Sequence, residues 1–245
     1  MRNNDSYTAL AEVYDSLMYD VDYDRWAAYM IGLIGEPPKK VAEVACGTGN
    51  LTLRLLQAGY DVVASDASEE MIGLASKKAA KAGIGGCFMA ADMRAPVCFG
   101  ADAVISAMDG VNYLTEDGDA GAFFEAAYAS LKPGGRLLFD ISSEYKLREI
   151  VGDNFFYDDG DDVTYYWENE ICGNAVNMEL TIFIRDGEVY RRGDESHTQR
   201  IYERAELERL LSESGFGDIE VFGFGTLEEP DENAERLQFS AIKKG

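Results

Sequence analysis

The sequence predicts an α/β fold, with a mainly parallel sheet, helices on both of its faces, and a second, antiparallel sheet inserted late in the chain. Three observations carry this. Between residues 40 and 142 short apolar runs alternate with stretches of helical periodicity. The first of these runs, in "VAEVACGTGN" at 41–50, breaks into two glycines one residue apart, as a buried strand does when it feeds a tight turn and then a helix. From residue 164 to 202 the rhythm changes to two-residue alternation before helix returns.

Taken in order, residues 6–34 predict two helices. "SYTALAEVYDSLM" puts Leu10, Val13, Tyr14 and Leu17 on one face, with Ser6 placed to cap it. "DYDRWAAYMIGLIG" does the same with Trp26, Tyr29, Met30 and Leu33, and "EPP" at 36–38 stops it. Residues 40–45 predict a buried strand, 50–58 a helix ending at Gly59, and "DVVAS" at 61–65 a second strand. "SEEMIGLASKKAAKAG" is a helix between a Ser68 cap and Gly83. "CFMAA" and "ADAVISAM" at 101–108 are strands three and four, 119–131 is helical, "KPGG" turns, and "RLLFDIS" is strand five. "TYYWENEIC", "VNMELTIFI" and "VYRRGDESHTQRIY" read as antiparallel strands joined at "CGNA" and "DGE". "DDGDD" at 158–162 reads as a polar loop without the spacing of a calcium site. A helix over "RAELERLLSESGF" and two strands, "DIEVFGFGTL" and "RLQFSAIKK", complete the chain. The division expected is 1–36 as N-terminal cap helices, 37–153 with 203–245 as the main α/β domain, and 154–202 as an inserted sheet over its crevice.

The net charge of −23 argues against a nucleic-acid partner, because phosphate recognition needs clustered cations and the "KK" and "RR" pairs are scattered. The acidity fits a solvated surface; attraction of a cationic substrate is the other reading. Cys46, Cys87, Cys98 and Cys172 show neither CxxC spacing nor a disulfide framework, so reduced thiols, a cytoplasmic location and no metal are expected. No apolar run is long enough to span a membrane, and Asp5, Glu12, Asp15 and Asp20 interrupt the one stretch that could act as a leader.

The glycine turn suits two ligand classes, dinucleotides and S-adenosylmethionine. A dinucleotide fingerprint wants a third glycine, where this chain has Thr52. Asp66 at the end of the second strand can accept from ribose hydroxyls in either class. Asp92 after the third strand discriminates, because an acid there can accept from an adenine amine.

Together, "EVACGTGN", "SDASEEMI", "AADMR" and "LKPGGRLLFD" resemble the ordered motifs of class I S-adenosylmethionine-dependent methyltransferases across residues 40–143. The resemblance implies a Rossmann-like sheet and S-adenosyl-L-methionine as cofactor. "VYDSLMYDVDYDRW" is similar to the YqeM-like methyltransferases, and the cap helices plus inserted sheet to small-molecule N-methyltransferases of the methyltransferase domain 25 type. Carried over residue by residue, it implies cofactor contacts from Tyr14, Glu43, Ala45, Cys46, Gly47, Gly49, Asp66, Ala67, Met71, Asp92, Met93 and Met108. Tyr14 is the tyrosine expected to cover the methionine end, ahead of Tyr7, Tyr19 and Trp26. Ala45 departs from the family, which more often has glycine there.

Methyl transfer is an in-line displacement with a neutral leaving group, so it needs alignment and exclusion of water more than an acid. A base helps only when the nucleophile arrives protonated. Asp109 and His197, the single histidine, are the candidate catalytic groups. "SAMDGVNYL" at 106–114 lacks the proline motif of nucleobase and glutamine methyltransferases, which favours a small-molecule acceptor over tRNA or protein; a cofactor-binding protein without catalysis is the third reading.

Overall fold

The computed structural model describes residues 8–245; of Thr8, Ala9, Leu10 and Glu12 only the backbone is described. Ser6 and Tyr7 lie outside the described residues. Two helices come first, α1 (Thr8–Leu17) and α2 (Tyr23–Ile34). The α2 helix starts where Asp22 accepts the Arg25 N–H, and it buries Trp26, Ala27, Met30 and Ile34. Then β1 (Lys40–Val44), α3 (Asn50–Gln57), β2 (Asp61–Asp66), α4 (Glu69–Ala82), β3 (Cys87–Ala90), β4 (Ala101–Ser106), α5 (Asp119–Ser130) and β5 (Leu131–Ser142) alternate. Ser68 caps α4 at Met71 N, and left-handed Gly83 ends it, as the sequence predicts.

The main sheet has seven strands. β3, β2, β1, β4 and β5 run parallel in that spatial order; β11 (Arg236–Lys243) follows antiparallel, and β10 (Phe216–Gly223) forms the far edge. One face packs under α5 and α6 (Arg204–Glu213) through Phe123, Phe124, Phe139, Phe216 and Phe239, with Phe139 and Phe239 stacked at 4.7 Å. Each such ring contributes about 1.5–3 kcal/mol through burial. The other face packs under α2 and α3 through Met30, Leu55, Ile105 and Leu138.

Between β5 and α6 lies the second sheet, a four-stranded antiparallel meander of β6 (Phe155–Asp159), β7 (Val163–Cys172), β8 (Ala175–Asp186) and β9 (Val189–Arg200). Its long hairpins close over two residues each, with Gly173 and Gly187 at φ +66° in the first loop position. Alternate residues of β8, Val176, Met178, Ile182 and Ile184, are buried. They pack on Val13 of α1 and on Leu147 and Val151 of a π-turn, Lys146–Val151, that follows β5.

Some expected boundaries move. The β1 and β4 strands stop early because Ala45, Met108 and Asp109 take left-handed φ of +52°, +63° and +56°. "KPGG" lies within β5, where it loops out between the pairs Ala101↔Leu131 and Ala103↔Arg136. Phe155–Asp159 is a strand where the first half of "DDGDD" reads as loop. As an edge strand it tolerates Asp158 and Asp159 facing water, and Tyr157 opposite Tyr166 at 6.3 Å holds its register.

Candidate active site

The carboxyl ends of β1, β2, β4 and β5 open on one crevice, where ligands of open parallel sheets bind. The glycine turn forms its floor. After β1 the backbone passes through left-handed Ala45, Gly47 at φ +55° and Gly49 at φ +75°, the last serving as N-cap of α3 without any side-chain cap. A methyl group on Gly49 would lie 2.9 Å from Ala75 Cβ, so glycine lets the turn sit against α4. One on Gly47 would meet nothing within 4 Å, so this backbone borders open space. Cys46 anchors the turn through its N–H to Ser65 O at 2.9 Å.

Asp66, at the tip of β2, accepts the Gly47 N–H at 2.8 Å and the Ser68 N–H at 2.9 Å, joining the turn to the start of α4. Burial raises its carboxyl, and those amide hydrogen bonds offset part of the rise. Ala67 is exposed beside it, and Met71 is buried under the first turn of α4. Asp92 is exposed beyond β3 and is gripped by Arg94, whose Nη2 lies 2.5 Å from Oδ2, and the hydrogen bonds from Arg94 hold the carboxyl below its ordinary range. Arg94 also reaches Asp119 at 2.6 Å, while Met93 turns toward the α5 core.

Glu43 sits in β1 beneath the turn at 2% exposure, and its Oε2 has no hydrogen-bond partner among the described residues. Burial, with Asp66 nearby, pushes its carboxyl up to about 7. Between the ordinary value near 4.5 and 7 the unfolded chain has lost this proton and the folded chain keeps it, so folding stability falls as pH rises through that window. Glu43→Gln is therefore expected to be more stable than the native protein at pH 8, by up to about 3 kcal/mol, and equal to it near pH 4. Denaturant midpoints at the two pH values check this; an equal gap at both would exclude titration of Glu43 as the cause.

On the opposite wall Met108 and Asp109 follow β4. Their N–H groups donate to Asp140 at 2.7 and 3.0 Å, and Asp140, fully buried in β5, also pairs with Arg236. Arg236 reaches Asp109 at 2.7 Å and lies over the Trp26 ring at 5.5 Å. The second Asp109 oxygen accepts from Gln199 Nε2 at 2.7 Å, which ties β9 to this wall. His197 shares the Gln199 face, buried at 9% exposure, with Nε2 3.2 Å from Glu195 and its ring edge-on to Tyr113 at 6.0 Å. Arg200 lies on the other face, with Asp117 and Glu206 each at 3.0 Å.

From α1, Tyr14 faces the crevice. Burial raises its phenol well above the ordinary value, and Tyr23, Asp109, Tyr113 and Asp66 push the same way, so it stays a protonated donor. Trp26 is a core residue against Phe224 at 4.0 Å, and Tyr19 is exposed. Among the described residues no three His, Cys, Asp or Glu side chains come together as a metal site, and no helix is long and apolar enough to cross a membrane.

A family model described as a methyltransferase domain matches residues 41–135. YqeM of Bacillus subtilis (strain 168), named as a methyltransferase, is 34% identical over 97% of this chain and 97% of its own. A solved S-adenosylmethionine-dependent methyltransferase from Clostridium acetobutylicum ATCC 824 superposes with a TM-score of 0.89 at 31% identity, over 98% of this chain and 99% of that one. CalS10, an amino pentose methyltransferase from Micromonospora echinaspora solved with its cofactor, shares the fold with a TM-score of 0.74 at 19% identity, over 95% and 97% of the two chains. The fold, the crevice and the relatives from Bacillus and Clostridium define a class I S-adenosylmethionine-dependent methyltransferase with S-adenosyl-L-methionine as cofactor. Within that class the chain belongs to the YqeM-like methyltransferases. The residues fit the cofactor, with open space above Gly47 and acids at the tips of β2 and beyond β3.

Proposed function

We propose that this protein methylates a small-molecule acceptor in the crevice between the glycine turn and the inserted sheet. The observation that carries this is the 2.7 Å hydrogen bond from Gln199 to Asp109, which ties the inserted sheet to the far wall of the crevice and so roofs it with this chain's own residues. CalS10, which shares the fold, is named as a methyltransferase of an amino pentose, a small-molecule acceptor.

In this reading Gly47, Gly49, Ala45, Cys46 and Glu43 shape the floor, and Asp66 with Ala67 and Met71 takes the ribose end. The Asp92 carboxylate and the Met93 backbone would take the adenine end, with the Met93 side chain left on the α5 core. The bound cofactor supplies an electrophilic methyl group on a sulfonium. Met108 and Tyr14 would line the methionine end, Tyr14 would shield it from water, and Asp109 would orient the acceptor. His197, on the roof beside Glu195, is placed to act as the base for an acceptor that arrives protonated. The unpaired cysteines support a cytoplasmic setting, and the acidic chain supports an acceptor other than nucleic acid.

Methyl-labelled cofactor incubated with the protein and a metabolite extract, then with tRNA and with protein, tests this. Label in a low-mass product is expected; label in tRNA or protein, or in nothing, overturns it. His197→Ala is expected to lower kcat while leaving cofactor affinity near native, and Arg200→Ala to act through stability. The reverse pattern, with Arg200→Ala inactive but folded and His197→Ala silent, would move the acceptor site to the Arg200 face.

A further inference from the structure

The crevice is closed on one side by α1, a ten-residue helix too short to persist without tertiary contacts. Two of its contacts among the described residues differ in chemistry. Val13 is buried against Ile182 and Ile184 of the inserted sheet, with Leu17 packed alongside. Asp15 makes the other contact. Its Oδ1 accepts from Thr48 Oγ1 at 2.7 Å and from Asn50 Nδ2 at 2.9 Å, and its Oδ2 receives Lys78 Nζ at 2.8 Å. Lys78 also donates to Thr48 Oγ1 at 3.0 Å and to Asn50 Oδ1 at 2.7 Å. One carboxylate on α1 thus gathers the glycine turn, the first residue of α3 and a lysine of α4. Among the described residues no backbone hydrogen bond joins α1 to the glycine turn. Tyr14 lies between Val13 and Asp15 in sequence, so its placement follows theirs, and, beyond burial, the charges of Asp109 and Asp66 both raise its phenol.

The two contacts differ in kind. Lifting Val13 off the sheet exposes apolar surface to water, whereas Asp15, already partly exposed, gives up charge-assisted hydrogen bonds that water replaces in part. Opening is therefore easiest on the Asp15 side, with α1 swinging on its apolar contact.

We propose that Asp15 is a positioning residue, a latch that holds α1 and Tyr14 shut over the cofactor, so that S-adenosylhomocysteine leaves only when Asp15 releases Thr48, Asn50 and Lys78. This rests on the reading that the glycine turn holds the cofactor. The latch is made at the turn itself, so closure of α1 follows the turn's conformation. Burial opposes the charge on Asp15, but the hydrogen bonds from Lys78, Thr48 and Asn50 outweigh it and hold the carboxyl below its ordinary range, so the latch is charged at neutral pH.

Stopped-flow release of S-adenosylhomocysteine from native, Asp15→Asn and Asp15→Ala protein, with hydrogen exchange of the α1 amides, tests the latch. Asp15→Ala is expected to release the product at least about tenfold faster, to raise KM for the cofactor without a matching fall in kcat, and to expose α1 amides while β1 and β4 stay protected. Asp15→Asn keeps an acceptor for Thr48 and Asn50 but loses the charge facing Lys78, and falls between; a merely structural residue would not raise KM without a matching fall in kcat. Native release rates with native α1 exchange in Asp15→Ala overturn the latch. If the native protein takes up no S-adenosylhomocysteine, the cofactor reading fails, and α1 exchange alone decides: faster exchange in Asp15→Ala keeps the tie, and unchanged exchange removes it.

Discussion

Asp66→Ala is expected to weaken S-adenosylmethionine binding by about a hundredfold, the largest effect of any single change on affinity. Two ribose hydroxyls donating to one carboxylate contribute about 1.5–3 kcal/mol each, and each 1.4 kcal/mol is about tenfold in affinity. The same carboxylate holds the Gly47 and Ser68 N–H groups, so its loss also frees the turn. Both effects reduce binding, and neither needs the sheet to unfold, because Asp66 lies at the tip of β2 rather than in the core. Calorimetric titration of a variant shown to be folded measures this. Unchanged affinity would remove Asp66 from the site, and tighter binding of NAD than of S-adenosylhomocysteine by the native protein would reassign the crevice.

The largest effect on stability is expected from Asp140→Ala, a loss of about 3–5 kcal/mol. Asp140 is fully buried and accepts the N–H groups of Met108 and Asp109, two residues in left-handed backbone that need such a tie. Its removal orphans both amides and leaves Arg236, among the described residues, with Asp109 as its remaining carboxylate. In a chain of this size, that loss lowers the melting temperature by about 10 °C. The double variant Asp140→Ala, Arg236→Met is expected to recover part of the loss, since the buried cation goes with its partner. Thermal melts of Asp140→Ala, Arg236→Met and the double variant decide; an additive double variant would mean that the pair is not coupled.

The parts of the site legible in the sequence are those whose partners are close in the chain. The glycine turn, Asp66 and the Ser68 cap lie within about twenty residues of one another, and each obeys a local rule of backbone or capping. Asp109 was legible as a position after strand four, but its partners were not. Arg236 arrives on a strand that inserts antiparallel beside β5, and Gln199 arrives from the second sheet, so both contacts depend on topology rather than spacing. Asp140 left a readable trace, an acid inside the apolar run "LLFDIS", which is costly unless paired. Asp15 left none, because one acid among several on an N-terminal helix looks like solvated surface. The left-handed Met108 and Asp109 were hidden for a related reason: no glycine marks the turn, and Asp140 supplies the constraint from another strand. Arg94 stood in the quoted motif "AADMR" and was still missed, since its grip on Asp92 is a side-chain event that spacing does not specify.

The most direct test of the site is a crystal structure of the protein with S-adenosylhomocysteine. The ligand is expected over Gly47, with its ribose on Asp66, its adenine beside Asp92, its methionine end under Tyr14, and its sulfur facing Met108 and Asp109 below the Gln199 and His197 side of the inserted sheet. Density for the ligand anywhere else, or in this crevice with its sulfur turned away from Asp109, would contradict both the assignment of the crevice and the mechanism built on it.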